Sequence, residues 1–307
     1  MKAKGFIITT LVIMNLIFSQ ATKAVEIKPA TLAIIDTPVN ASLPELKNNI
    51  VHEVCVLDWK TCPNGTQFQE GAGSAFIPVK FMMKEGLSHG TNMAYAAAKT
   101  NPSVNIVYVQ FAGATSTGSR QITNESSFVN AFTWVLKNKD RFNIKAVALS
   151  QSHHNLGNSA EYCPSTPATF KVISDLNAVG VAVFAAAGNN RDLKRVSWPA
   201  CSKGTLVISA TSYGDGPAIY TDFDPNKTFL FARGDMKLLF PDGSLLNQVG
   251  SSISAQVAAS AYIALANAHP DYTKDQLVAL LKTKTMPLVS RTIKNQVVLD
   301  VAAALKG

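Results

Sequence analysis

The chain has 307 residues, 47% of them hydrophobic, and a formal net charge of +8. That length suits one large domain or two small ones, and the absence of a Pro/Gly/Ser-rich linker favours one. The basic residues are scattered apart from Arg191, Lys194 and Arg195, with no basic stripe interleaved with aromatics. This argues against a nucleic-acid-binding surface.

Residues 1–24 read as a signal peptide. Lys2 and Lys4 precede the apolar run Phe6 to Phe18, and the small residues Ala21 and Ala24 follow. The run is too short for a membrane anchor to be the preferred reading. Its removal takes three lysines, so the mature chain of 283 residues carries +5. No other stretch is long and apolar enough to span a bilayer, so a secreted or periplasmic protein is expected, with no stable membrane insertion after cleavage. Cys55, Cys62, Cys163 and Cys201 suit two disulfides in such a compartment. Cys55–Cys62 with Cys163–Cys201 is the preferred pairing because the first two lie seven positions apart; the other two pairings stay open. A metal site is disfavoured, since no CxxC or HxxxH spacing occurs.

Leu32 to Ile35 is a continuous apolar strand stopped by Asp36-Thr37-Pro38. Residues 41–88 read as irregular, with loop signals at Pro63-Asn64-Gly65 and Gly71-Ala72-Gly73. The glycines at 71 and 73 are no nucleotide fingerprint, lacking a preceding strand, a third glycine and an opening helix. A helical pattern covers Gly90 to Lys99, a strand Ile106 to Val109, and a helix Ser126 to Lys137 with Phe128, Phe132, Trp134 and Val135 facing inward. Ile144 to Leu149 is a strand. Pro167 to Leu176 is a helix closing at Gly180. Val181 to Ala185, Leu206 to Ala210 and Thr228 to Phe231 are further strands. Gly250 opens the way for a tight turn, and Ser251 or Ser252 can cap a helix. The following run, Ala255 through Ala266, is apolar on every side and predicts a buried helix ending before Pro270. Thr273 with Gln276 forms a capping box for a helix through Leu277, Leu280 and Leu281.

Apolar strands alternating with helices predict a single α/β domain over 25–307, with a mostly parallel central sheet covered by helices on both faces. Reactive groups in such sheets gather at the carboxyl ends of the strands. Asp36, Ser150 and Asn189 stand at such ends. His89, of five histidines (His52, His89, His153, His154 and His269), alone leads through a glycine into a small-residue helix. Ser252 opens the buried helix, where unpaired N–H groups and the helix dipole favour an oxyanion. Taken singly, each residue has an ordinary reading as a cap, a turn or a structural histidine. Their order on these elements fits nucleophilic catalysis, which needs a serine, a base within reach and a carboxylate to hold the imidazole.

Four blocks are similar to those of the subtilisin-like serine proteases: Ile34-Ile35-Asp36-Thr37-Pro38-Val39-Asn40, His89-Gly90-Thr91-Asn92-Met93-Ala94, Ala185-Ala186-Ala187-Gly188-Asn189 and Gly250-Ser251-Ser252-Ile253-Ser254-Ala255. The resemblance spans Ala33 to about Leu281. It implies a serine endopeptidase in which Ser252 attacks, His89 moves the proton, Asp36 orients the imidazole and the Asn189 amide binds the oxyanion. It also implies that Ser150, Gln151 and Ser152, with Ala186 and Gly188, line a cleft for an extended protein or peptide substrate. No cofactor is required by that chemistry. Calcium, often bound in the family, would need carboxylates such as Asp215, Asp222 and Asp224, for which simple solvation is the ordinary reading.

The sequence departs from the family at Pro38, Asn92 and Tyr95, at Gln151-Ser152 in place of leucine-glycine, at Gln256 in place of proline, and at Ser260 in place of glycine. Only about seven residues separate Ala24 from the first strand, leaving no room for the family's folding propeptide. The chain is therefore expected to fold unaided, to use a separate folding partner, or to be a degenerate member. Two other readings compete. A peptide-binding module on the same fold would tolerate loss of the triad, which is intact. An unrelated serine esterase would want a G-x-S-x-G elbow and the order Ser, Asp, His, whereas Gly250 to Ser254 lacks the second glycine and the residues run Asp, His, Ser.

Overall fold

The computed structural model describes residues 28–84, 86–121, 123–152, 163, 167–213 and 216–307. The expected signal peptide, His153, His154 and Asp215 lie outside the described residues.

The chain builds a ten-stranded sheet around β1 (Thr31–Asp36). On one side of β1 lie β4 (Asn105–Gln110), β2 (Ile50–Val56) and β3 (Phe68–Glu70). On the other lie β5 (Ile144–Leu149), β6 (Ala182–Ala186), β7 (Thr205–Thr211), β8 (Thr228–Arg233), β12 (Val297–Leu299) and β11 (Thr285–Pro287). Neighbouring strands are parallel from β2 across to β12, and only the outermost strands β3 and β11 run antiparallel. Strand β1 pairs with β4 on one edge and β5 on the other. It is therefore a topological switch point, where a crevice opens at the carboxyl ends.

Side chains of β1 alternate between two cores, as the pleat requires. Leu32 and Ile34 face one layer with Tyr108, Phe184 and the helices α2 (His89–Thr100) and α5 (Ser251–Ala268). Ala33 and Ile35 face the other, with Phe128, Phe132 and Trp198, under α3 (Glu125–Asn138) and α4 (Pro167–Ala178). The four inward residues expected on α3 are all buried there. Helix α5 lies against β5 to β8 and α2. Its alanines and serines let the backbones approach closely, while Ile253, Val257, Tyr262, Ile263 and Leu265 are completely or almost completely buried. Each such large apolar side chain contributes about 1.5–3 kcal/mol of transfer free energy. The Thr273–Gln276 capping box forms as expected and starts α6 (Lys274–Thr283). Short helices α1 (Val79–Met82) and α7 (Val301–Leu305) complete the helical set among the described residues. Disulfides join Cys55 to Cys62 and Cys163 to Cys201, the preferred pairing.

Two expectations need correction, and one element carried no expectation at all. The segment 41–88 is not irregular throughout: it carries β2, β3 and α1. Strand β2 was concealed because its first half, Ile50-Val51-His52, is only partly buried and shows no clean apolar run. A two-stranded hairpin, β9 (Asp235–Leu239) with β10 (Leu245–Val249), precedes α5. It turns at Asp242-Gly243, where Gly243 adopts φ +85°. Finally, neither Ser251 nor Ser252 caps α5. The N-cap is Gly250, whose φ of 161° is ordinary extended backbone.

Candidate active site

Asp36 ends β1 with its side chain wholly buried, and His89 begins α2 with its ring 27% exposed. The two approach because the β1–α2 junction has no room for a side chain at Gly90. A Cβ there would overlap Tyr108 Oη and the carbonyls of Thr37 and Pro38. The junction is tied further by Gly90 N–H donating to Thr37 Oγ1 at 2.9 Å and Tyr108 Oη donating to the Thr37 carbonyl at 2.6 Å. Burial, with the nearby Asp36 and Glu53 charges, pushes the Tyr108 phenol well above its ordinary value, so it stays a donor. His89 Nδ1 lies 2.8 Å from Asp36 Oδ1. Asp36 Oδ1 also accepts the Thr37 N–H at 2.7 Å.

Ser252 stands in the first turn of α5. Its hydroxyl donates to the Ser150 carbonyl at 3.1 Å, and the Ser150 hydroxyl donates to the Ser252 carbonyl at 2.9 Å. Gln256 Nε2, one turn along the helix, donates to Ser150 Oγ at 3.0 Å. The end of β5 is thus stitched to the start of α5 by side chains. Ser251, buried beside Ser252, accepts the Gly188 N–H on its hydroxyl at 3.1 Å and donates its own N–H to Asn189 Oδ1 at 2.9 Å. That second bond fixes which way the Asn189 amide faces. Its Nδ2 is left toward Gly250, 3.6 Å from where a Cβ of Gly250 would sit. A Cβ at 250 would meet the Asn189 donor only in ordinary contact, and the backbone conformation does not demand glycine either.

The loop after β6 is shaped by Asp222. Gly188 has φ +115°, and a Cβ there would overlap Ser197 Oγ and Asp222 Oδ2. Asp222 Oδ1 accepts the N–H groups of Asn190 and Asp192 at 2.7 and 3.0 Å. Its Oδ2 accepts from Asn190 Nδ2 at 2.8 Å and Ser197 Oγ at 3.2 Å. Asp222 is thus no solvated loop carboxylate. Burial raises its carboxyl from the ordinary value, against the lowering by these bonds. Asp224 is also buried, and its Oδ1 accepts the Asn226 N–H at 2.8 Å. Among the described residues no three His, Cys, Asp or Glu side chains gather as a metal site.

Of the residues expected to line the cleft, Ser152 is half-buried, while Ser150, Ala186 and Gly188 are buried at the carboxyl ends of β5 and β6. Gln151 turns inward. Its Nε2 lies 2.8 Å from Asp36 Oδ1 and 2.8 Å from His89 Nδ1. Its Oε1 accepts from Arg120 at 2.6 Å. Arg120 carries no motif signal in the sequence: it is a single cation in a loop between β4 and α3. Burial lowers its guanidinium from the ordinary value, with Asp36 opposing that shift, and a guanidinium so placed remains charged. Asp222 was visible only as a solvated or calcium-type carboxylate, and its role in ordering the loop was hidden because partners such as Asp192 lie thirty residues upstream.

The model of the subtilase family matches residues 28–299. Subtilisin Savinase of Lederbergia lenta is 22% identical over 244 residues, covering 76% of this chain and 83% of that protein. Subtilisin of Bacillus pumilus is 24% identical over 265 residues, covering 82% and 90%. The alkaline protease of Shouchella clausii is 22% identical, but the match spans only 59% of its length. Among solved structures, a protease of Pseudoalteromonas arctica PAMC 21717 superposes with a TM-score of 0.70 at 17% identity, covering 91% of this chain and 90% of that one. A cold-adapted subtilisin-like serine proteinase gives 0.61 at 22% identity, covering 89% and 88%. With a parallel sheet of this order, and a family match that runs from the first described residue to the end of β12, the chain belongs to the subtilase family.

Proposed function

We propose that this chain is an exported, single-domain serine endopeptidase that hydrolyses peptide bonds through Asp36, His89 and Ser252. The observation that carries the reading is the buried Asp36 carboxylate 2.8 Å from His89 Nδ1, set at the switch point of a sheet whose next crevice wall holds Ser252 and Asn189. His89 Nε2 would take the Ser252 proton as the oxygen attacks the peptide carbonyl, then return it to the leaving amine. Asp36 would hold the imidazole and stabilise its charged form. The Asn189 Nδ2 group, oriented by the Ser251 N–H, and the Ser252 N–H would receive the oxyanion. Extended peptide would pair with the main chain near 150–152 and 186–188. The relatives named above are proteases, which supports a protein or peptide as substrate.

A second reading, a peptide-binding module that does not cleave, is favoured by one observation: the Ser252 hydroxyl proton is directed at the Ser150 carbonyl. Labelling with a fluorophosphonate separates the two. Stoichiometric labelling of the wild-type protein, lost in Ser252→Ala and His89→Ala, is the expected result. A folded wild-type protein that takes up no label would leave the binding module as the better account.

A further inference from the structure

The carboxylate of Asp36 is loaded unevenly. An ionised carboxyl oxygen offers about two lone-pair sites. Asp36 Oδ1 has three nitrogen neighbours within 2.8 Å: the Thr37 N–H, His89 Nδ1 and Gln151 Nε2. Asp36 Oδ2 is buried and has no hydrogen-bond partner among the described residues. Two of the three nitrogens, His89 Nδ1 and Gln151 Nε2, also lie 2.8 Å from each other. When Nδ1 carries the proton that a catalytic imidazole needs, both are donors. No proton can then lie between them, and they repel at that distance.

The Gln151 amide cannot relieve this by turning over. Its oxygen accepts from Arg120, and a guanidinium has donors only, so a flipped amide would set donor against donor. The flip would also set its oxygen against the Asp36 carboxylate. The Thr37 N–H is main chain and fixed. Of the competing donors, the imidazole at the surface end of the junction is the one free to give way. The Ser252 hydroxyl, meanwhile, donates to the Ser150 carbonyl.

We infer that Gln151, oriented by Arg120, is a positioning residue that competes with the His89 imidazole for Asp36 and holds the triad below its full reactivity. Productive geometry requires the amide to withdraw so that Oδ1 serves the imidazole. This inference rests on reading Asp36, His89 and Ser252 as the triad, and its test is chosen to separate the two.

The test follows two readouts in the full chain: the low-field proton resonance of the His89 Nδ1–H, and the second-order rate of labelling by a fluorophosphonate. In Gln151→Leu, the resonance is expected to move further downfield as the imidazole gains sole use of Oδ1. The labelling rate is expected to rise roughly five- to tenfold, the fold-change of one hydrogen bond. Arg120→Met leaves Gln151 in place but frees its amide to turn, and should move both readouts the same way by a smaller factor. A residue that merely filled space would leave the resonance where it was. An unmoved resonance overturns the inference. So does a wild-type protein that takes up label, and does so as fast as Gln151→Leu or faster. A resonance that shifts in variants none of which takes up label supports the Gln151 assignment and overturns the protease reading instead.

Discussion

The two halves of the site are built on opposite plans. The Ser252–Asn189 half is assembled from main-chain N–H groups and short side chains whose donors are spread over several acceptors: Gly188 to Ser251, Ser251 to Asn189, Asn190 and Asp192 to Asp222. The Asp36–His89 half is crowded on one oxygen and bare on the other. The difference teaches where a polar site resists change. A satisfied polar network is rigid, whereas one with more donors than its acceptor can serve is not held to a single arrangement.

The sharpest way to break the comparison is to remove a part from the Ser252–Asn189 half. Asn189→Ala is expected to lower kcat by about 10²–10³, the cost typical of losing such a donor in subtilisin, and to cost about 1–3 kcal/mol of stability because the Ser251 N–H loses its acceptor. A loss of less than tenfold would mean that the amide does not face the oxyanion. Asp222→Ala acts through the backbone. It strands two loop N–H groups, and each unpaired buried donor costs about 1–3 kcal/mol. Denaturant unfolding should show that loss, and labelling should slow as Asn189 loses its fixed position. If stability falls and labelling does not, the Asp222 loop and the Asn189 amide are independent. Thr273→Ala removes the α6 cap far from either half. It should cost about 1 kcal/mol of stability and leave the labelling rate unchanged, which calibrates the other two.

The same contrast decides what could be read from the sequence. The Ser252–Asn189 half is written in contiguous runs, Ala185 to Asn189 and Gly250 to Ala255, because its bonds are made by main chain and by neighbours on one strand end or helix turn. Strands β1 and β6 were legible for the same reason: buried on both faces, they carry continuous apolar runs, as β5 does from Ala146 to Leu149. The part that escaped is made of side chains meeting across large separations. Gln151 reaches Asp36 over 115 positions, and Arg120 reaches Gln151 over 31. Nothing in the local composition of either loop announces the meeting. Gln151 and Gln256 were visible only as departures from a family pattern, without the contacts that explain them. Strand β2 and the β9–β10 hairpin escaped for another reason: half-exposed strands lack the periodic signal that burial imposes.

Ser252 rides on α5, a helix with its sides enclosed by the sheet and by α2. Segments so enclosed open only with the whole molecule, so the amides of α5 should be among the last to exchange with solvent deuterium. For an enzyme whose own chain is a potential substrate, that has a practical meaning. Self-digestion would begin in exposed connections such as the 241–244 turn, and the serine would stay intact in a nicked but still folded molecule.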